Sequence, residues 1–198
     1  TLAAYREAKQ SILRWQTPGQ SAVLCLDDSD VWHWQTRGQR LGFGTDDGQA
    51  SGVFLDGDTA IVRIGGLTRE LPLGDWVNLP GRHNLLNAAA ATCAALVAGA
   101  EPDDIRRGLQ GFTGLPHRLQ RVTEIAGRIF YNDSLATTPE SVEVAVAAFR
   151  RPVVLLAGGY DKQLPLAGLA ETIRHNVKAV ALMGQTACDL QQLLGQFS

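Results

Sequence analysis

The sequence predicts an α/β protein in two parts, the second of them Rossmann-like, and three observations carry that reading. From residue 114 onward, apolar strand-like runs alternate with helical patterns, which implies a mostly parallel sheet with crossover connections. Between residues 52 and 73 the runs are shorter and separated by Asp-Gly and Gly-Gly, the punctuation of antiparallel hairpins. Gly111-Phe-Thr-Gly-Leu-Pro116 reads as a linker, so the boundary falls between 1–113 and 114–198.

An amphipathic helix opens the chain, with Leu2, Tyr5, Ile12 and Leu13 apolar among Arg6, Glu7, Lys9 and Gln10. Thr1 is not an initiator methionine and the helical pattern is already under way, which predicts a piece of a longer chain. Ala22-Val-Leu-Cys-Leu26 is a short buried strand that ends at the acids Asp27 and Asp28. Val53-Phe-Leu55, Ala60-Ile-Val-Arg-Ile64 and Leu67-Thr-Arg-Glu-Leu71 make up the hairpin region, with turn signals at Asp56-Gly57 and Gly65-Gly66. Gly81-Arg-His-Asn-Leu-Leu-Asn87 opens an alanine-rich helix that stops at Gly99, and so many small residues imply close packing. Glu101-Pro-Asp-Asp104 starts a second helix over 105–109.

In the second part, strands are expected at 118–123 and 128–131 around Ala126-Gly127, a buried strand at 153–157 and another at 177–183. Helices are expected at 141–149, 164–173 and 186–194. The glycine fingerprint of dinucleotide-binding folds does not occur, nor does an internal repeat.

Composition bounds the function. Apolar residues make up 45% and charged residues 19% of 198, so a folded core is expected. A net charge of −2 leaves no basic stripe to neutralise a phosphate backbone, so nucleic acid is not an expected partner. No apolar run is long enough for membrane insertion and the start lacks the pattern of a signal peptide, which predicts a cytoplasmic protein. Cys25, Cys93 and Cys188 lie far apart in apolar or small-residue surroundings and read as reduced, buried structural thiols.

The most informative segment runs from Ile129 to Ser141. Ile129, Phe130 and Tyr131 favour a strand, while Thr138, Pro139 and Glu140 read as a helix start with a hydroxyl cap and proline in the first turn. Asn132, Asp133 and Ser134 then occupy the carboxyl end of a strand facing a helix N-terminus, a place suited to anionic ligands; the alternative is a plain connection with Asp133 forming the turn. Asn84 and Asn87 share a helical face, where their amides either recognise adenine or cap the helix. Arg118 either grips a phosphate or ribose or pairs with a neighbouring acid. Gly158-Gly-Tyr-Asp-Lys162 follows a strand expected to share a sheet edge with Asp133, so Lys162 either holds a carboxylate or lies in an ordinary turn. From composition alone Lys9 is a solvated lysine. The chain contains no G-x-x-x-x-G-K-[ST] loop and no persuasive nucleophile triad.

Taken in order, Tyr5-Arg-Glu-Ala-Lys9, Gly81-Arg-His-Asn-Leu-Leu-Asn87, Gly114-Leu-Pro-His-Arg118, Asn132-Asp-Ser-Leu-Ala-Thr137 and Gly158-Gly-Tyr-Asp-Lys162 resemble the Mur ligases of peptidoglycan synthesis, in particular the glutamate-adding branch. The resemblance implies a cytoplasmic, monomeric, ATP-dependent and magnesium-dependent ligase that joins glutamate to UDP-N-acetylmuramoyl-L-alanine through an acyl phosphate. It places the C-terminal part of a central ATPase domain in 1–113 and most of a Rossmann-like C-terminal domain in 114–198, with the UDP-binding domain, the P-loop and a magnesium-binding histidine upstream of Thr1.

By motif match, Asn84 and Asn87 contact adenine, and Arg118 and Asp133 hold the nucleotide from across a domain cleft. Thr137 and Lys162 bind the incoming glutamate. Lys9 matches a carbamylated lysine whose added carboxylate suits magnesium. Two positions depart from the family pattern: Leu135 stands where a lysine is usual, and Gln120 where a glutamate often follows His-Arg-x. The first removes a cation expected near the glutamate and leaves its stereochemistry open. Other readings are a folylpolyglutamate synthase of the same superfamily and a nucleotide-binding module without catalysis.

Overall fold

The computed structural model describes residues 1–45 and 48–195. Residues 196–198, assigned from sequence to the second part, lie outside the described residues. The chain forms two compact units, Thr1–Asn78 with Asn84–Thr113, and Leu79–His83 with Gly114–Ser198.

In the first unit, helix α1 (Leu2–Arg14) is capped by Thr1, whose hydroxyl accepts from the Ala4 amide at 3.3 Å. Strand β1 (Ser21–Cys25) leads to the one-turn helix α2 (Ser29–Trp32), then β2 (Gln39–Thr45), β3 (Gly52–Asp56), β4 (Thr59–Ile64) and β5 (Leu67–Leu71). They form one sheet in the order β1-β2-β3-β4-β5, with β1, β2 and β3 parallel and β3, β4 and β5 antiparallel. The expected hairpins are present. Gly65 and Gly66 both take positive φ, 64° and 77°, the pair a tight primed turn requires. At the other turn Asp56 already pairs with Thr59, so Gly57 and Asp58, rather than Asp56 and Gly57, make the loop.

Strand β2 has no counterpart in the sequence reading, because Gly42 and Gly44 give it the composition of a loop. Its glycines answer a packing need. A Cβ on Gly42 would lie 2.9 Å from the Phe54 ring, and one on the neighbouring Gly52 would lie 1.9 Å from the Gly42 carbonyl oxygen. The acids at the end of β1 have structural uses: Asp27 accepts from the Thr45 amide at 2.9 Å, and Asp28 caps α2.

Short helix α3 (Leu73–Trp76) precedes α4 (Arg82–Val97) and α5 (Pro102–Gly111). Ala88, Ala89, Thr92 and Cys93 are the buried residues of α4, and their small size lets the helix join the sheet core of Leu41, Val53, Leu55, Ala60 and Val62. Burial in that core pushes the Cys93 thiol up to about 11, as expected of an unreactive structural cysteine, whereas Cys25 is half-buried and Cys188 exposed, against the expectation of three buried thiols.

In the second unit, β6 (Gln120–Ile125) and β7 (Arg128–Asn132) form an antiparallel hairpin, turning at Ala126 and Gly127 with φ 48° and 72°. Helix α6 (Pro139–Ala147), β8 (Val153–Gly159), α7 (Ala167–Asn176), β9 (Val177–Gly184) and α8 (Ala187–Gly195) follow, and β8 and β9 pair in parallel. Leu169, Ile173 and Leu190 form the core, joined by Leu155, Val180 and Leu182 from the inner face of the β8–β9 pair.

Two expectations are corrected in this unit. Among the described residues β7 pairs with β6 and not with the parallel strands, so Asp133 and Lys162 do not follow strands of a common sheet. Strand β8 is buried on one face only: Val154 is 62% and Leu156 69% exposed. Short apolar runs do not reveal how many faces are covered, whereas the alternating burial of β8 does.

Candidate functional site

The segment 114–120 and the residues after β7 lock together around Arg118. His117 and Leu119, on either side of it, both adopt left-handed backbone conformations, φ 63° and 46°, which are costly for side chains of their size. The structure compensates by giving each of three successive amides an acceptor. His117 N–H donates to Gln120 Oε1 at 2.9 Å, Arg118 N–H to the Leu115 carbonyl at 3.2 Å, and Leu119 N–H to Asp133 Oδ1 at 2.8 Å.

Two further bonds tie His117 to the second strand of the hairpin and beyond. Leu135 N–H donates to the His117 carbonyl at 3.0 Å, and Asn132 Nδ2 lies 3.0 Å from His117 Nδ1. An amide nitrogen donates, so Nδ1 accepts and the ring proton belongs on Nε2. Leu119 is buried, while Arg118 is exposed and its guanidinium forms no ion pair among the described residues. A cation displayed on an over-constrained backbone suits recognition of an anion.

Asp133 therefore holds the Leu119 amide as well as lying beside Arg118 in the fold. Asn132 closes a local turn, accepting from Ser134 N–H at 3.1 Å, and the Asp133 carbonyl accepts from Ala136 N–H at 2.9 Å. As expected, Thr138 caps α6, its hydroxyl receiving the Ser141 amide, with Pro139 at the helix start. Thr137 is exposed and has no capping duty.

The loop after β8 is tied to the loop after β9. Gln185 N–H donates to the Gly159 carbonyl at 2.8 Å, and Gln185 Oε1 accepts from Asp161 N–H at 3.1 Å. Gln163, at φ 57°, donates its amide to Asp161 Oδ1 at 2.7 Å. Lys162 lies between these held residues, exposed, and forms no ion pair among the described residues. No hydrogen bond or ion pair joins Thr137 or Lys162 to Arg118 or Asp133 among the described residues.

Helix α4 begins at Arg82, so Asn84 and Asn87, both in the first unit, sit one turn apart inside the helix and neither is its N-cap. Asn87 is exposed and Asn84 half-buried. Lys9 is exposed on α1, its ammonium 5.4 Å from the centroid of the Tyr5 ring, a cation–π contact. An ammonium has no lone pair to give a metal ion, and the described residues contain no group of three or more His, Cys, Asp or Glu able to hold one. These residues alone do not fit a magnesium ion.

Two residues of the site escaped the sequence reading. Gln120 figured only as a departure from a motif, yet its carboxamide holds His117. His83 belongs to the same unit as Arg118 and Asp133. Burial lowers its pKa from the ordinary 6.5 and the Arg118 charge lowers it further, against an opposing pull from Asp133. The available signal was the Gly81-x-His83 spacing: Gly81 has φ 95°, and a Cβ there would lie 2.7 Å from His83 Cε1.

The shift has a measurable consequence. Below about pH 6.5 the unfolded chain takes up a proton that folded His83 refuses until lower pH, so stability from this group is full above that value and declines as pH falls through the window. His83→Gln is expected to remove this part of the acid slope in denaturant melts, and NMR titration of His83 should give a midpoint below 6.5. A midpoint at or above the ordinary value refutes the assignment.

No family model matches the chain. Curated relatives do. The chain is 40% identical over 202 residues to the UDP-N-acetylmuramoylalanine–D-glutamate ligase of Roseiflexus sp. (strain RS-1), an alignment covering 94% of this chain and 42% of that protein. It is 39% identical over 191 residues to the ligase of the same name from Bacillus subtilis (strain 168), covering 96% of this chain and 41% of that one. It thus spans about two-fifths of the length of the curated relatives it matches.

Among solved structures, MurF from Acinetobacter baumannii matches with a TM-score of 0.72 at 21% identity, over 96% of this chain and 44% of that one. A MurF ligase from Thermotoga maritima, solved in complex with ADP, matches at 0.67 and 18% identity, over 96% of this chain and 46% of that one. At such identities these neighbours establish the fold, while the curated relatives establish the kinship: the chain belongs to the Mur ligase family.

Proposed function

We propose that the protein carrying this chain is an ATP-dependent ligase that adds glutamate to UDP-N-acetylmuramoyl-L-alanine during cell-wall synthesis. The observation that carries the reading is the locked loop presenting Arg118 beside Asp133, in a chain about 40% identical to ligases named for that reaction. ATP phosphorylates the terminal carboxylate of the UDP-sugar substrate, the glutamate amine attacks the acyl phosphate, and phosphate leaves. Negative charge accumulates throughout, so the chain's contribution is to place cations and donors where it develops.

Asn84 and Asn87 offer carboxamide donors and acceptors to adenine. Arg118 takes the nucleotide's phosphate or ribose, and Asp133, an acceptor, its ribose hydroxyls. The ADP complex of the Thermotoga maritima relative supports nucleotide binding. Lys162 holds a glutamate carboxylate as a point charge, and Thr137 adds a hydroxyl. Lys9, once carbamylated, contributes one oxygen toward magnesium, whose chemistry is to neutralise phosphate charge. We assign 1–113 to a central ATP-binding domain and 114–198 to a C-terminal domain, in a monomeric cytoplasmic enzyme; among the described residues no helix is long and apolar enough to cross a membrane.

The test is phosphate release by the enzyme from the complete reading frame, with D-glutamate and L-glutamate compared. Release that requires both ATP and UDP-N-acetylmuramoyl-L-alanine is expected. Release that instead requires a folate, or none with either glutamate, overturns the reading. The 198-residue chain alone, which contains no P-loop sequence, is expected to turn over no ATP.

A further inference from the structure

Two left-handed residues flanking one exposed arginine call for a reason why the backbone stays there. The His117 amide points to a side chain rather than to a main-chain carbonyl: its acceptor is Gln120 Oε1 at 2.9 Å. Gln120 lies at the start of β6, where it pairs with Asn132, and is half-buried, so its carboxamide projects from a seated strand rather than from a mobile loop. Asn132 is also the residue whose amide meets the His117 ring at 3.0 Å. One rung of the β6–β7 ladder therefore grips His117 twice, at its main-chain N–H and at its ring.

We propose that Gln120 is a positioning residue for nucleotide binding: by holding His117 in its left-handed conformation it fixes the direction in which Arg118 leaves the backbone. The inference rests on the reading that Arg118 binds the nucleotide. With the bond broken, residue 117 relaxes toward the ordinary right-handed or extended regions, and a change of φ there swings the next residue's side chain away from its direction. A glutamate carboxylate at this position has an oxygen at the same reach and accepts the same bond.

The test uses the complete enzyme with Gln120→Leu, which keeps the size and removes the acceptor, and Gln120→Glu, which keeps the acceptor. Gln120→Leu is expected to raise KM for ATP about tenfold, the loss of one well-placed charged contact, with kcat and the KM for glutamate little changed. Gln120→Glu is expected to stay within about twofold of the parent in KM for ATP, an effect below that of one hydrogen bond. Hydrogen exchange at the His117 amide should accelerate in the first variant and not in the second. Equal ATP kinetics in Gln120→Leu and the parent, or equal impairment of the two variants, overturns the proposal.

If Gln120→Leu does not fold, Gln120→Asn, whose carboxamide is too short to reach, replaces it with the same expected result. Arg118→Ala is measured alongside. A normal KM for ATP in Arg118→Ala overturns the nucleotide reading itself, whereas a raised KM there with a normal one in Gln120→Leu overturns only the positioning role.

Discussion

Gly158→Ala is expected to destabilise the second unit by about 3 kcal/mol or more, the largest effect of any conservative change in the motifs. Gly158 pairs with Met183 across the parallel β8–β9 ladder, and a Cβ at Gly158 would lie 1.8 Å from the Met183 carbonyl oxygen. That neighbour is backbone in the only ladder β8 possesses among the described residues, so it cannot rotate aside as a side chain does. Its φ of 132° adds strain that any L-residue would feel. Relief requires the end of β8 to move away from β9, which also withdraws Gly159 from Gln185 and releases the segment carrying Lys162.

Gly159→Ala serves as the control. Nothing lies within 4 Å of its Cβ position, so only the backbone strain of φ 151° remains and a loss of about 1 kcal/mol is expected. Urea or thermal melts of the two variants check the ranking. Gly158→Ala melting like the parent would mean that the close approach of β8 and β9 is not real.

The sequence made some of these features legible and hid others for physical reasons. Glycine pairs, the Thr138-Pro139 cap and the alanine stripe of α4 are local signals, and each appears where local chemistry puts it. Strand β2 was hidden because Gly42 serves a distant partner, the Phe54 ring, and no window around Gly42 contains that information. The β6–β7 hairpin was expected as two strands, but which sheet they join is a long-range choice that alternation of elements suggested wrongly.

The site shows the same division. Arg118 and Asp133 stood out as residue types at motif positions, yet the bond from the Leu119 amide to Asp133 spans 14 positions in the chain and belongs to the fold alone. Gln120 looked like a lapse from a motif because its partner is a backbone amide, which carries no sequence signature. His83 was passed over because a histidine in a helix start has many bland explanations, and its two charged neighbours come from elsewhere in the unit.

Arg118 and Asp133 are expected to separate when each is changed, because they carry different loads. Arg118 is exposed and its guanidinium has no ion pair among the described residues, so Arg118→Ala should leave stability within about 0.5 kcal/mol of the parent. If it grips the nucleotide through charged hydrogen bonds worth about 1.5–3 kcal/mol, KM for ATP in the complete enzyme should rise by roughly 10- to 100-fold. Asp133 has a second task, since removing its carboxylate leaves the Leu119 amide beside a buried side chain without its acceptor at 2.8 Å. Asp133→Ala should therefore cost about 1–3 kcal/mol of stability and impair ATP use together. Asp133→Asn retains an acceptor oxygen, so it should recover most of the stability while ATP use stays impaired by loss of the charge. Denaturant melts and ATP kinetics on the three variants give six numbers, and the expected pattern is specific. Unchanged ATP kinetics in Arg118→Ala removes the nucleotide assignment, and an Asp133→Ala variant as stable as the parent removes the structural one.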